Sequence, residues 1–201
     1  MERIFSLNCP LLQNISKEDA AVLLSVLHAK VITYGKGQTI AEAGVPTARA
    51  AVLLEGLAVT SRNNYLGNEV VVAHIRPGAA FLLPEALAGQ PPHFSYIAAE
   101  KTAVLFFDVQ NTHIPSAAGG STFQQNIIRL VSELSMNMSR KVSILTLKTL
   151  EEKTIAMLEL FSRPAGSAAV TLPFTRQGMA EYLAADRSAL SYALMKLKRK
   201  G

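Results

Sequence analysis

Glycines at positions 44, 56, 67 and 78 cut the stretch from Val31 to Phe107 at intervals of 12, 11 and 11 residues. Around them lie VITYGKGQTI, AAVLLEGLAV, NEVVVAHIRPG and SYIAAEKTAVLFF, short β-prone runs alternating with turn residues. Strand-length runs at even spacing, each turned by a glycine, predict an antiparallel barrel or roll. Gly35 and Gly37 on either side of Lys36 add a turn before a strand at Thr39-Ile40.

The flanking segments read as helices. Ser16 precedes KEDAAVLLSVL, with Glu18 and Asp19 in the first turn and Leu23, Leu24 and Leu27 on the apolar face. Asn111–Ser121 (NTHIPSAAGGS) has the composition of a loop. From about Phe123 to Lys153 the chain contains neither glycine nor proline. Ile127, Val131, Leu134, Met138, Val142 and Leu145 recur there at steps of three and four. A helix of that length, about 45 Å at 1.5 Å per residue, outruns what a domain of this size can cover. Its stripe is therefore predicted to pair with a second copy of itself, packing against the roll being the alternative. IAMLELF continues as helix, Pro164-Ala165-Gly166-Ser167 breaks it, and AAVTLPF follows as an extended piece. The fold class expected is α+β, with three parts: 1–122, 123–153 and 154–201.

Composition narrows the function. The longest helical apolar run, Ala20–Leu27, falls well short of the roughly 20 residues of a membrane span. Glu2, Arg3 and Asn8-Cys9-Pro10 do not make a signal peptide, so a cytoplasmic protein without membrane contact is expected. Cys9 is the only cysteine, which excludes a disulfide framework and a cysteine-held iron–sulfur or zinc site within one chain. It reads as a small half-buried apolar residue. His28, His74, His93 and His113 are scattered and form no metal-ligand pair by spacing, so neither metal nor haem is expected. No Gly-x-Ser-x-Gly, Walker loop or His-Glu-x-x-His occurs, and enzymatic activity is not expected. The net charge of +5 comes entirely from the part after Thr122, where twelve Lys/Arg face six Asp/Glu. That asymmetry points to a polyanion partner for the C-terminal end, the alternative being a solvated basic face.

That end carries TRQGMAEYLAADRSALSYALMKLK, Thr175 to Lys198. Thr175 suits the N-cap of a helix that turns Met179, Ala180 and Leu183 inward. Asp186 suits the cap of the next helix, with Leu190, Leu194 and Leu197 facing the same core. The small Ala184-Ala185 joint between them fits a helix-turn-helix. Arg187, Ser188, Ser191 and Tyr192 then lie on the outward face of the second helix, with Lys196 and Lys198 beyond. Such a helix fits the major groove of double-stranded DNA with its N-terminal residues nearest the base edges. Thr175, Arg176 and Gln177 would meet phosphate.

The order of parts is more specific than any one of them. A glycine-punctuated roll, a long helix and a C-terminal helix-turn-helix resemble the CRP/FNR family of bacterial transcription regulators. The residues that carry the likeness are CPLL, YGKGQTI, AGV, HIRPGAAFLLPEAL and LPFTRQGMAEYLAADRSALS. The resemblance implies a jelly-roll-like, cyclic-nucleotide-binding-type effector domain, a dimerisation helix and a winged helix-turn-helix. It further implies a homodimer on a two-fold-related DNA site, with RNA polymerase as a further partner. Three positions depart from the family pattern. Ala184 stands where relatives often have glycine. Tyr192 replaces an arginine that contacts guanine, so the operator should differ from the best-known one. Relatives continue into a β-hairpin wing where this chain stops at Lys200-Gly201, so either the sequence is a shortened one or the wing is absent, with weaker DNA binding expected. A ligand-binding or dimerisation module without DNA binding is the alternative.

The same resemblance places an effector pocket after Pro77-Gly78. Glu85 matches the glutamate that accepts from the ribose of a cyclic nucleotide, but the Arg-Ser pair that holds its phosphate reads Phe94-Ser95 here. A phosphate opposite phenylalanine would lose its counter-charge, His93 being a weak substitute, so cyclic AMP is not the expected effector. Phe81, Leu82 and Leu83, with Glu85, Phe94 and Ser95, would suit an apolar or aromatic small acid. The alternative is that these residues are core and Glu85 a capping carboxylate. No cofactor is implied.

Overall fold

The computed structural model describes residues 2–63, 69–109, 119–162, 172 and 174–200. It divides into two compact units, Met1–Ser132 and Glu133–Gly201.

In the first unit α1 (Lys17–Val26) leads into eight strands: β1 (Lys30–Tyr34), β2 (Thr39–Ala41), β3 (Arg49–Glu55), β4 (Ala58–Asn63), β5 (Glu69–Ile75), β6 (Ala80–Phe81), β7 (Ser95–Ala98) and β8 (Thr102–Asp108). A short helix, α2 (Leu83–Ala88), lies between β6 and β7. The strands form two four-stranded antiparallel sheets, ordered β1-β8-β3-β6 and β2-β7-β4-β5. This is the expected roll. Gly44, Gly56 and Gly78 all hold positive φ, as the spacing predicts, while Gly67 lies outside the described residues. At Gly56 (φ +83°) a Cβ would come within 2.4 Å of the Lys101 carbonyl oxygen, so no other residue fits without moving backbone.

Strand β3 shows why the roll has two cores. Its side chains alternate between faces. Ala50, Val52 and Leu54 join Leu105 and Phe107 of β8 in one core with Leu23 and Leu24 of α1 and Leu27 at its C-cap. Ala51 and Leu53 join Val104 and Phe106 in a second core with Ile75, Tyr96 and Ala98 of the opposite sheet. The continuous apolar run AAVLL is thus that of a strand buried on both faces. Ser16 caps α1 by accepting the Asp19 N–H at 3.0 Å, as its position suggests. Cys9 is buried in the first core rather than half-buried as expected, and burial raises its thiol pKa.

The long helix differs from expectation. α3 runs Gly120–Leu145, 26 residues or about 39 Å, and does not continue to Lys153. The chain leaves the helix at Thr146–Thr149 and restarts as α4 (Leu150–Ser162). The restart is a capping box: Glu152 Oε2 accepts the Thr149 N–H at 2.9 Å and Thr149 Oγ1 accepts the Glu152 N–H at 3.2 Å. The predicted loop at Asn111–Ser121 gives its last two residues to α3, and its first eight lie outside the described residues. Most of AAVTLPF also lies outside them.

Within the second unit α5 (Arg176–Tyr182) and α6 (Arg187–Lys200) follow α4. Ile144, Met157, Met179, Ala180, Leu183 and Leu190 form its core, with Phe161, Phe174 and Tyr182 packed against it. Phe161 meets Phe174 edge-on, ring centroids 5.1 Å apart, and the Lys141 ammonium sits 5.1 Å over the Tyr182 ring.

Candidate nucleic-acid interface and effector site

The α5–α6 pair is built by its caps. Thr175 Oγ1 accepts the Gly178 N–H at 3.1 Å and starts α5. Asp186 Oδ1 accepts the Ser188 N–H at 2.7 Å, the Ala189 N–H at 3.3 Å and the Ser188 hydroxyl. These bonds, the hydroxyl first, hold the Asp186 carboxyl below its usual range. Between the helices Ala184 adopts φ +49°, the left-handed region in which a side chain is strained and glycine is not. Met179, Ala180, Leu183 and Leu190 are buried and Leu194 packs against their core, so the apolar spacing read from the sequence is the buried face.

The opposite face lies at the surface of this unit. Arg187, Ser188, Ser191, Tyr192, Lys196 and Lys198 are exposed, and so are Thr175, Arg176 and Gln177 at the start of α5. Tyr192 is 65% exposed. Several of these side chains are engaged within the unit: Lys196 Nζ pairs with the Glu151 carboxylate on α4, and Gln177 Nε2 donates to Glu181 Oε1 at 3.0 Å. The Glu151 carboxylate holds the Lys196 ammonium above its usual pKa. Ser188 donates its hydroxyl hydrogen to Asp186, and Ser191 donates to the Arg187 carbonyl oxygen at 2.9 Å. Both hydroxyl oxygens keep lone pairs with which to accept.

The predicted stripe on α3 splits in two. Ile127 and Val131 pack against the first core of the roll, alongside buried Phe123. Leu134, Met138 and Val142 stay exposed at 47%, 69% and 59%, and Leu145 is half-buried. The start of α3 is tied down by buried Asn126, whose amide donates to the carbonyl oxygens of Leu11 at 3.0 Å and Gln13 at 2.8 Å. Arg129 extends that network to Gln13 Oε1 and Asn126 Oδ1. Asn126 and Arg129 escape a reading based on apolar spacing, because their role depends on a segment more than a hundred residues away.

Of the predicted effector residues, Phe81 and Leu82 enter the core between the sheets, and Leu83 enters the other core. Leu82 holds φ +58°, and this left-handed turn sends two adjacent leucines into two different cores. Glu85 sits in the first turn of α2, with Oε1 accepting the Tyr96 hydroxyl at 3.4 Å and Oε2 buried without a hydrogen-bond partner. The Phe81 ring stacks on Tyr96, centroids 5.3 Å apart and planes 25° from parallel. Ser95 Oγ accepts the Ala43 N–H at 3.1 Å, and half-buried Phe94 meets His93 edge-on. Tyr96 joins the site without a sequence signal, since only the pairing of β7 with β2 and β4 brings it between the sheets. Among the described residues no group of three or more His, Cys, Asp or Glu could hold a metal ion, and no helix is long and apolar enough to cross a membrane.

Residues 31–113 match the family model of the cyclic nucleotide-binding domain, and the fold is shared with solved transcription regulators. A transcriptional regulator of the CRP/FNR family from Thermus thermophilus is 22% identical over 86% of this chain and 87% of its own, with a TM-score of 0.51. FixK2 from Bradyrhizobium japonicum is 20% identical over 86% of each chain, with a TM-score of 0.54. The c-di-GMP responsive global regulator CLP of Xanthomonas campestris is 14% identical over 90% of this chain and 92% of its own, with a TM-score of 0.59. No curated protein matches the sequence.

Proposed function

We propose that this protein is a sequence-specific, DNA-binding transcription regulator rather than an enzyme, acting as a homodimer and switched by a small molecule other than cyclic AMP. The observation that carries the reading is the capped α5–α6 pair, with its apolar face buried and Arg187, Ser188, Ser191 and Tyr192 exposed along one helix. A helix of that build enters a major groove, where Arg187 can read guanine and the two serines accept from adenine or cytosine amino groups. Arg176 and Lys198 supply phosphate contacts that set position and salt dependence. The exposed Leu134, Met138 and Val142 supply the stripe through which a second copy pairs. RNA polymerase is the partner through which such a dimer would act, and the bacterial cytoplasm the compartment. Cyclic AMP is disfavoured because Phe94 offers its phosphate no charge.

Selection of bound sequences from a random duplex pool, followed by anisotropy titration, tests the proposal. A two-fold-related consensus bound at least about a thousand times more tightly than random DNA is expected. Equal affinity for both would leave a ligand-binding or dimerisation module instead.

A further inference from the structure

We infer that Tyr192 and Met195 on α6 give the reading helix a preference for thymine, by closing on the 5-methyl groups that thymine displays in the major groove. The inference rests on the proposed DNA-reading role of α6 and deepens it. It starts from Met195, which is 46% exposed. The buried side of α6 is made by Leu190 and Ala193, with Leu194 packed against the same core. Met195 follows Ser191 by four residues and Tyr192 by three, so it shares their outward face and lengthens it by a turn. Among the described residues Tyr192 and Met195 are the large exposed apolar side chains of α6.

What this face can select follows from its chemistry. Arg187 carries the guanidinium suited to guanine. Ser188 gives its hydroxyl hydrogen to Asp186 and Ser191 gives its own to the Arg187 carbonyl oxygen, so the serines present acceptors. Tyr192 and Met195 supply apolar surface, and the 5-methyl group of thymine is the apolar feature that a major groove offers. Against the amino groups of adenine and cytosine, or the acceptors of guanine, the same apolar atoms would strip water without replacing its hydrogen bonds. Charge favours the same occupant. Exposed Arg187 at the start of α6 and exposed Lys198 and Arg199 near its end bracket the pair with cations that suit phosphate. Met195 lies about 12 Å along the helix from Arg187 at 1.5 Å per residue. The thymine should therefore fall within about four base pairs of the guanine that Arg187 reads, at 3.4 Å per pair.

Thymine and uracil differ only in that methyl group. Anisotropy titration of the full chain with the selected duplex, and with copies in which single thymines are replaced by deoxyuridine, therefore tests the inference. Loss of the methyl at one or two positions per half-site, within that distance of the guanine, is expected to weaken binding about fourfold. Met195→Ala and Tyr192→Ala should each weaken binding to the thymine duplex by a similar factor and become indifferent to deoxyuridine at one of those positions. The deoxyuridine series on the unaltered protein stays decisive even if a variant does not fold. A selected duplex without thymine near the guanine, indifference of the unaltered protein to every deoxyuridine, or a full deoxyuridine effect in both variants overturns the inference and leaves sequence-specific binding standing. Failure to select any duplex overturns the DNA-reading role itself, and the inference with it.

Discussion

Lys196 on the last helix is paired with Glu151 on α4, so one of the cations expected to meet DNA phosphate is committed inside its own unit. The pair is partly exposed, which limits its worth to stability, but it sets how much of the lysine's charge reaches the outward face. Replacing Glu151 with alanine should free Lys196 and remove a negative charge. Affinity should rise alike for specific and random duplexes, with a steeper salt dependence, by about one counterion, in anisotropy titrations. An unchanged slope would mean that Lys196 already contacts phosphate in the complex.

Arg187 and Lys198 should separate reading from holding. Arg187→Ala is expected to cost about 1–3 kcal/mol on the selected sequence and little on random DNA. Lys198→Ala should weaken both equally. Identical behaviour of the two variants would remove Arg187 from the base-reading set.

The Ala184 backbone at φ +49° carries strain that glycine would relieve. Ala184→Gly should raise the stability of the helix-turn-helix unit by up to about 1 kcal/mol, since the left-handed penalty outweighs the extra freedom gained by the unfolded chain. Urea denaturation followed by circular dichroism reads this directly, and a loss of stability would argue against that turn geometry.

Asp186 gives a pH dependence. Its hydrogen bonds to Ser188 and Ala189 lower its pKa in the folded state. The stability it supplies is therefore fully present above its unfolded-state pKa and is lost as pH falls through the folded one. Asp186→Asn keeps a capping oxygen without the charge, so the acid limb of the stability curve should flatten while the cap survives. Parallel acid limbs in thermal melts would show that the cap is not formed.

The exposed stripe on α3 gives a prediction about assembly. Met138→Glu with Val142→Glu places two charges where apolar contact is proposed. Sedimentation should shift from dimer to monomer while the roll keeps its melting transition. A dimer that persists would place the interface elsewhere.

Much of this protein was legible in its sequence because local chemistry determined it. Glycine spacing marks turns whose positive φ only glycine adopts cheaply. Ser16, Thr175 and Asp186 cap their helices through bonds to residues two or three positions away. Leu183 and Leu190 are buried because their spacing leaves them no other face. Even the break before α4 was written in the chain as Thr149-x-x-Glu152, although a stretch without glycine or proline hides it. What the tertiary structure decided lies where partners are remote in sequence. The packing of Ile127 and Val131 on the roll, the ties from Asn126 to Leu11 and Gln13, the Lys196–Glu151 pair and the Tyr96 hydroxyl on Glu85 all follow from which surfaces the sheets and helices bring together. Periodicity states which face of an element is apolar, but only the assembled fold chooses what that face, and any charge beside it, will meet.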